Sequence, residues 1–164
     1  MSANRIIARP GVPWVVEVDG PDLVVRGIRA TCFGGGFDTG DDGQTESGVM
    51  NDGRNPSLLG VALPIRSIEA STRPSPLAFP GKHIPWLTPV TVWLEANGEQ
   101  SAIRCILIDD GPDVLQYPDH ALDLTVAAAS HFAPGFPIKR LANEWSGRGF
   151  SYRIVGGAQY APAA

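Results

Sequence analysis

The sequence has little of what marks several large protein classes. Two cysteines, Cys32 and Cys105, are too few for a disulfide framework. Their neighbours Thr31, Phe33, Arg104 and Ile106 read as strand rather than redox motif, so both are expected to be buried thiols. The 13 Lys and Arg stand against 17 Asp and Glu, a net charge of −4. That leaves no basic footprint for phosphate neutralisation, and nucleic acid is not an expected partner. No apolar run reaches bilayer-spanning length, so no membrane span is expected. The first ten residues lack the apolar stretch of a signal peptide, which makes the cytoplasm the default location. No repeat, heptad or linker divides the chain. Its 164 residues suit one domain, expected as a monomer, that buries a core without disulfides or metal.

Specific chemical motifs are also missing. Asp38-Thr39-Gly40-Asp41-Asp42-Gly43 looks like the start of a calcium loop, but its third position is Gly40 and its twelfth is Val49, which excludes an EF-hand. His120 and Asp123 stand three apart, yet no third or fourth ligand has metal-binding spacing. Gly81-Lys82 lacks the rest of a phosphate loop, Pro56 bars Asn55 from glycosylation, and there is no Gly-x-Ser-x-Gly elbow. Neither metal nor cofactor is expected.

What is present favours strands. The hydrophobic fraction is 43%, and 19 Gly with 15 Pro keep helices short, a composition of barrels and sandwiches. Val12 to Val18 and Leu23 to Ile28 flank Asp19-Gly20-Pro21 as a hairpin, and Ile28 to Phe33 is a short strand entering Gly34-Gly35-Gly36. The loop that follows, through Gly43, could bring its backbone close to a ligand. An apolar run spans Leu58 to Pro64, and a proline-rich ordered loop is expected from Arg73 to Pro89. Val90 to Glu95 and Ser101 to Ile108 enclose Asn97-Gly98, a strong hairpin signal. Asp123 to Phe132 is the best helix, with Thr125 as N-cap and Pro134-Gly135 ending it. A last strand is expected from Gly149 to Val155. The expected organisation is an N-terminal hairpin extension over 1–27, a barrel over 28–155 and a flexible tail over 156–164.

Five short patterns then occur in one order. They are Ala30-Thr31-Cys32-Phe33-Gly34-Gly35, Thr45-Glu46-Ser47-Gly48, Ile84-Pro85-Trp86-Leu87-Thr88-Pro89-Val90-Thr91-Val92, Ile108-Asp109-Asp110-Gly111-Pro112 and Asp123-Leu124-Thr125. Together they resemble the double-psi β-barrel domains of rare lipoprotein A, lytic transglycosylases, expansins and family-45 endoglucanases, over roughly residues 28 to 155. The resemblance implies a mainly β fold, a six-stranded double-psi barrel with one or two short helices. It also implies a polysaccharide partner, peptidoglycan or a cellulose-like glycan, met outside the cytoplasm. The chain departs from rare lipoprotein A in three places. Gly81 stands where that family has a His, with His83 two residues later. Ile108 and Asp110 replace the Asn and Arg around the matched Asp109.

The acidic turn at Asp109 is the candidate chemical centre. Glycosidic cleavage needs a carboxylic acid to protonate the leaving oxygen, and a carboxyl does so near neutral pH only when burial or a nearby negative charge raises its pKa. Asp110 could supply that charge; alternatively both are turn carboxylates accepting backbone N–H groups. The resemblance implies that Asp109 acts first as acid and then as base, so that the sugar's own 6-hydroxyl closes an anhydro product. His83 could orient substrate or share a proton with Asp109. A hydrolase would need a second carboxylate, and Asp38, Asp41, Asp42 or Glu46 could provide it, or these could be solvated turn formers. Phe37, Trp86, Tyr117 and Trp145 fall on expected loops, where aromatic faces stack on sugars or cover a core edge. The candidate site is thus Asp109, Asp110 and His83 for catalysis, with Thr31, Phe37, Asp38, Asp42, Trp86 and Tyr117 lining a groove. His131 is read as structural. Three functions follow: peptidoglycan-directed glycan cleavage, non-catalytic expansin-like glycan binding, or a structural component of phage or secretion origin.

Overall fold

The computed structural model describes residues 4–8, 11–64, 83–112, 114 and 116–161. Gly81, Lys82 and the proline-rich passage before His83 lie outside the described residues. The strands are β1 (Arg5–Ala8), β2 (Val15–Asp19), β3 (Asp22–Cys32), β4 (Gly60–Leu63), β5 (Pro89–Leu94), β6 (Ile103–Asp110), β7 (His120–Leu124) and β8 (Ser146–Ile154). Two short helices, α1 (Val126–Phe132) and α2 (Ile138–Glu144), lie between β7 and β8.

Six of these strands close on themselves in the order β3-β7-β4-β6-β5-β8, the ring being completed by β8 pairing with β3. β3 with β7 and β4 with β6 run parallel, and the other pairs are antiparallel. This closed, mixed six-stranded barrel is compatible with double-psi connectivity. Closure removes the free edges an open sheet would expose. The N-terminal hairpin β1–β2 joins outside the barrel through the antiparallel pairing of β2 with β3.

One bulge decides which face of β3 looks inward. Leu23 and Val25 are buried in the core, and then the register against β8 slips between Val25 and Ile28. Gly27, at φ 71°, takes up the slip in a conformation other residues avoid. After it the inward positions become Ile28, Ala30 and Cys32, all in the same core. Side chains alternate along a strand, so Thr31 turns to the outer face. In the β4–β6 ladder a slip between Val61 and Ala62 sets Ala62 opposite Asp109 on β6.

The barrel interior is filled by these residues with Val61, Leu63, Val90, Val92, Cys105, Leu107, Leu122, Leu124, Tyr152 and Ile154. A smaller apolar cluster of Phe33, Ala62 and Ile108 forms separately and is covered by Val49 and Leu58. Among the described residues no helix is long and apolar enough to cross a membrane.

The strands expected over Leu23 to Ile28 and Ile28 to Phe33 are a single strand, β3, which serves hairpin and barrel at once. The hairpin around Asn97-Gly98 forms from β5 and β6, its connection carrying a 3-10 turn at Glu99–Ser101. The helix begins at Val126 rather than Asp123, because Asp123 and Leu124 pair with Thr31 and Cys32 of β3. Thr125 occupies the N-cap position without capping through its side chain. Its hydroxyl instead donates to Leu58 O and accepts from Gly60 N at 3.1 Å, tying the helix start to β4. Helix α2 and strand β1 had no expectation from the sequence. Residues 156–161 were expected as tail, yet Gly157–Tyr160 forms a 3-10 turn, and Gly157 and Ala161 are buried.

Candidate functional site

Register slips between Arg29 and Ala30 in the β3–β7 ladder and between Val61 and Ala62 in the β4–β6 ladder assemble a row across the outer barrel wall. Thr31 pairs with Asp123, Asp123 with Ala62, and Ala62 with Asp109. Neighbouring strands lie about 4.8 Å apart, so the Asp109 and Asp123 backbones are separated by roughly 9.5 Å, with only the small Ala62 between them.

Asp109 stands at the end of β6, half-buried. Its Oδ1 accepts hydrogen bonds from Glu46 N at 3.1 Å and Asp110 N at 2.9 Å. Burial pushes its carboxyl above the usual carboxylate range, the two backbone bonds oppose this, and the negative charges of Glu46 and Asp41 add to the rise. The loop bearing Glu46 is docked here by Ser47 N donating to Ile108 O at 3.1 Å. Asp41 is raised in the same way, by burial first, against a hydrogen bond from Gly43 N and with Asp38, Asp42 and Asp123 adding negative charge. Asp41 thus couples electrostatically to both Asp109 and Asp123.

Asp123 anchors the other end of the row. Thr31 Oγ1 donates to Asp123 Oδ1, and His120 Nε2 lies 2.8 Å from Thr31 Oγ1 and 2.9 Å from Asp123 Oδ1. The Asp123 side chain is 17% exposed, open to a ligand without being solvated on all sides. Tyr117 flanks this cluster. Its ring is tilted toward His120 at 6.5 Å between centroids, carries the Arg29 guanidinium at 5.8 Å, and is 49% exposed.

The remaining expected site residues divide. Asp38 closes a turn, its Oδ2 accepting from Gly34 N and its Oδ1 from Gly40 N, both at 2.9 Å. Asp42 accepts from Gln44 N at 3.0 Å on the exposed part of the same loop. Asp110 is partly buried beside Asp109. His83 is exposed, and among the described residues no hydrogen bond joins it to Asp109. Trp86 is half-buried and packs against the barrel core. Phe37 turns away from the acidic row. It lines a pocket of about 500 Å³ with Leu58, Val126 and Ile138, its ring under the Lys139 ammonium at 5.9 Å.

The glycine run serves packing. A Cβ on Gly34 would stand 2.4 Å from Asn51 Nδ2, and one on Gly35 would stand 2.3 Å from Val126 Cγ2. These glycines let the loop lie against its neighbours, so that it hands Phe37 to the pocket and Asp41 to the acidic row.

Asp123 and His120 are the site residues that the sequence reading did not gather. Their spacing of three reads in sequence as a metal pair, and Asp123 reads as the start of a helix. The apolar alternation of His120-Ala121-Leu122-Asp123-Leu124 was the available signal for β7. Among the described residues no group of three or more His, Cys, Asp or Glu is arranged to hold a metal ion. No protein-family model matches the chain, and no curated protein matches it either.

Proposed function

We propose that this chain is a double-psi β-barrel protein that cleaves a cell-wall glycan, most simply peptidoglycan, by lytic transglycosylation. The observation that carries the proposal is the placement of Asp109: a half-buried carboxyl, raised by burial and by Glu46 and Asp41, on one row of the barrel wall with Asp123. The mixed barrel with its two parallel pairs supports the fold assignment.

In this reading Asp109 holds a proton nearer to neutrality than an ordinary aspartate and delivers it to the leaving glycosidic oxygen. The resulting carboxylate then takes a proton from the sugar's 6-hydroxyl, which closes on the anomeric carbon. Asp123, held by Thr31 and His120, is the negative charge nearest in register and offsets the positive charge that develops on the sugar ring. Tyr117 offers an exposed aromatic face beside it for a neighbouring sugar. Such a substrate places the protein's action outside the cytoplasm.

The test is incubation of the purified chain with peptidoglycan and with cellulose, beside Asp109→Asn, followed by mass spectrometry of released fragments. Anhydro-sugar ends from the unmodified chain and their loss in Asp109→Asn are expected. Reducing ends with water incorporated would mean hydrolysis, with Asp123 or Asp41 as the second carboxylate. No fragment from either polymer would refute cleavage. The exposed Tyr117 ring favours expansin-like binding as the second reading, and retained pelleting with an insoluble glycan would then support it.

A further inference from the structure

His120 has no part in the proton transfers above, yet it touches the second carboxylate. Its hydrogen-bonding geometry admits a count of protons. The Thr31 hydroxyl has one hydrogen, and it goes to Asp123 Oδ1. An ionised Asp123 has none to give. His120 Nε2 therefore faces two acceptors, Thr31 Oγ1 at 2.8 Å and Asp123 Oδ1 at 2.9 Å, and can satisfy both only as a donor. With its side chain 11% exposed, the imidazole is too enclosed to reach a polymeric substrate itself.

We infer that His120 is a positioning residue for Asp123: an Nε2–H donor forked between Thr31 and Asp123 pins Oδ1 and presents Oδ2 as the oxygen that meets the substrate. The role in turnover rests on the glycan-cleavage reading; the hydrogen-bond arrangement does not. Gly111 completes the arrangement, because even a Cβ there would stand 4.0 Å from Asp123 Oδ2, and Gly111 places no side chain over it. A carboxylate held by two donors on one oxygen keeps its rotation fixed. The charged and titratable groups around the imidazole come from three neighbouring segments. Arg29 lies opposite it in register on β3 and pairs with Asp119 at 3.5 Å. Arg148 meets the same Asp119 at 3.3 Å from β8, and Tyr117 covers the ring edge. Asp41 acts on Asp123 from the glycine-rich loop.

The test uses the full chain labelled for NMR at imidazole nitrogen and aspartate carboxyl carbon, with His120→Leu, which removes the donor, and His120→Gln, which keeps one. His120 is expected to show a protonated Nε2. The Asp123 carboxyl carbon resonance is expected to move in His120→Leu and return toward the original in His120→Gln. A bare Nε2 in the unmodified chain would overturn the inference without any variant needing to fold. An Asp123 carboxyl resonance unmoved in a folded His120→Leu would overturn it as well. On the glycan, His120→Leu is expected to lower kcat by about 10- to 100-fold with KM little changed, as for a displaced reacting group. Equal kcat would refute the role in turnover. If the unmodified chain cleaves no glycan, the cleavage reading fails while the two NMR measurements still decide the role of His120 at Asp123.

Discussion

Asp109 and Asp123 lie on one row of the barrel wall with Ala62 between them, paired to the first through a parallel ladder and to the second through an antiparallel one. Both ladders belong to a closed ring of strands, so the spacing of the two carboxylates is set by the sheet rather than by loop conformation. A site on strands keeps its geometry when the loops around it move, and the two carboxylates should therefore act as a unit.

That unity is measurable. Asp109→Asn and Asp123→Asn are each expected to reduce glycan cleavage about 10²- to 10⁴-fold, the usual contribution of a positioned proton donor or its partner. The double variant should lose little more than the worse single one, since groups acting in one step are not additive. Steady-state rates of fragment release for the four proteins check this. Independent, multiplying losses would mean that the two carboxylates serve different steps.

The pH dependence of stability follows from the raised carboxyl of Asp109. A group whose folded pKa lies above its unfolded value binds more protons in the native state, so stability falls as pH rises through that window. The penalty is fully present near neutrality and absent below the unfolded value. Asp109→Asn keeps an Oδ1 acceptor for Glu46 N and Asp110 N while removing the charge. A urea midpoint higher than that of the unmodified chain is expected at about pH 7, with the difference closing toward about pH 3. A pH-independent difference would mean that the Asp109 carboxyl is not raised by its surroundings.

Much of the barrel was legible before the structure, and the reasons differ by element. Asn97-Gly98 between β-branched runs marks a reversal by local chemistry alone, and β5 and β6 form around it. The acidic turn at Asp109 was visible because a confident strand ends there. Strand β7 was hidden by its ending: Asp123 and Thr125 look like helix-starting residues, and only pairing with β3 and β4 holds His120–Leu124 extended. The Thr31 to Asp123 contact spans 92 positions and depends on the bulge at Gly27, a tertiary feature with no local signature. Phe37 and Asp38 are neighbours in sequence, yet the glycine-rich loop turns Phe37 toward the helices.

Gly35 gives a test of that loop. Its φ of 80° and the 2.3 Å approach of an added Cβ to Val126 Cγ2 penalise Gly35→Ala twice. Left-handed backbone costs about 1–2 kcal/mol for a residue with a side chain, and overpacking about 1–3 kcal/mol more. Chemical denaturation should show a loss of about 2–5 kcal/mol. Val126→Ala added to Gly35→Ala should recover the packing share and leave the backbone share. No recovery would show that strain alone limits the position.

The cysteines should be silent in the native protein. Both thiols are pushed up to about 12, Cys105 by burial and Cys32 by burial first and then by the charges of Asp123 and Asp38. The thiolate is the reactive species, so a thiol reagent at about pH 8 should modify neither residue until denaturant is added, and then both. Rapid labelling of Cys32 alone under native conditions would mean that the wall behind Thr31 opens.

Arg153 ties three separated segments together, and its removal tests whether the hairpin is bound to the barrel by charge. Its Nη2 meets Asp19 at 2.8 Å, its Nη1 meets Asp22 at 3.3 Å and its Nε meets Glu99 at 2.6 Å, with the side chain 18% exposed. The guanidinium is held in its charged form mainly by Glu99, then by Asp19. An exposed pair contributes about 0–1 kcal/mol, while breaking a buried one costs about 3–5 kcal/mol. A half-buried network with three carboxylates belongs between these, so Arg153→Met should lose about 1–3 kcal/mol. Methionine keeps an aliphatic stem beside β3 and β5 but leaves Asp19, Asp22 and Glu99 facing one another uncompensated. The loss should therefore shrink in high salt, where screening relieves their repulsion. A loss unaffected by salt would assign the stabilisation to packing of the side-chain stem.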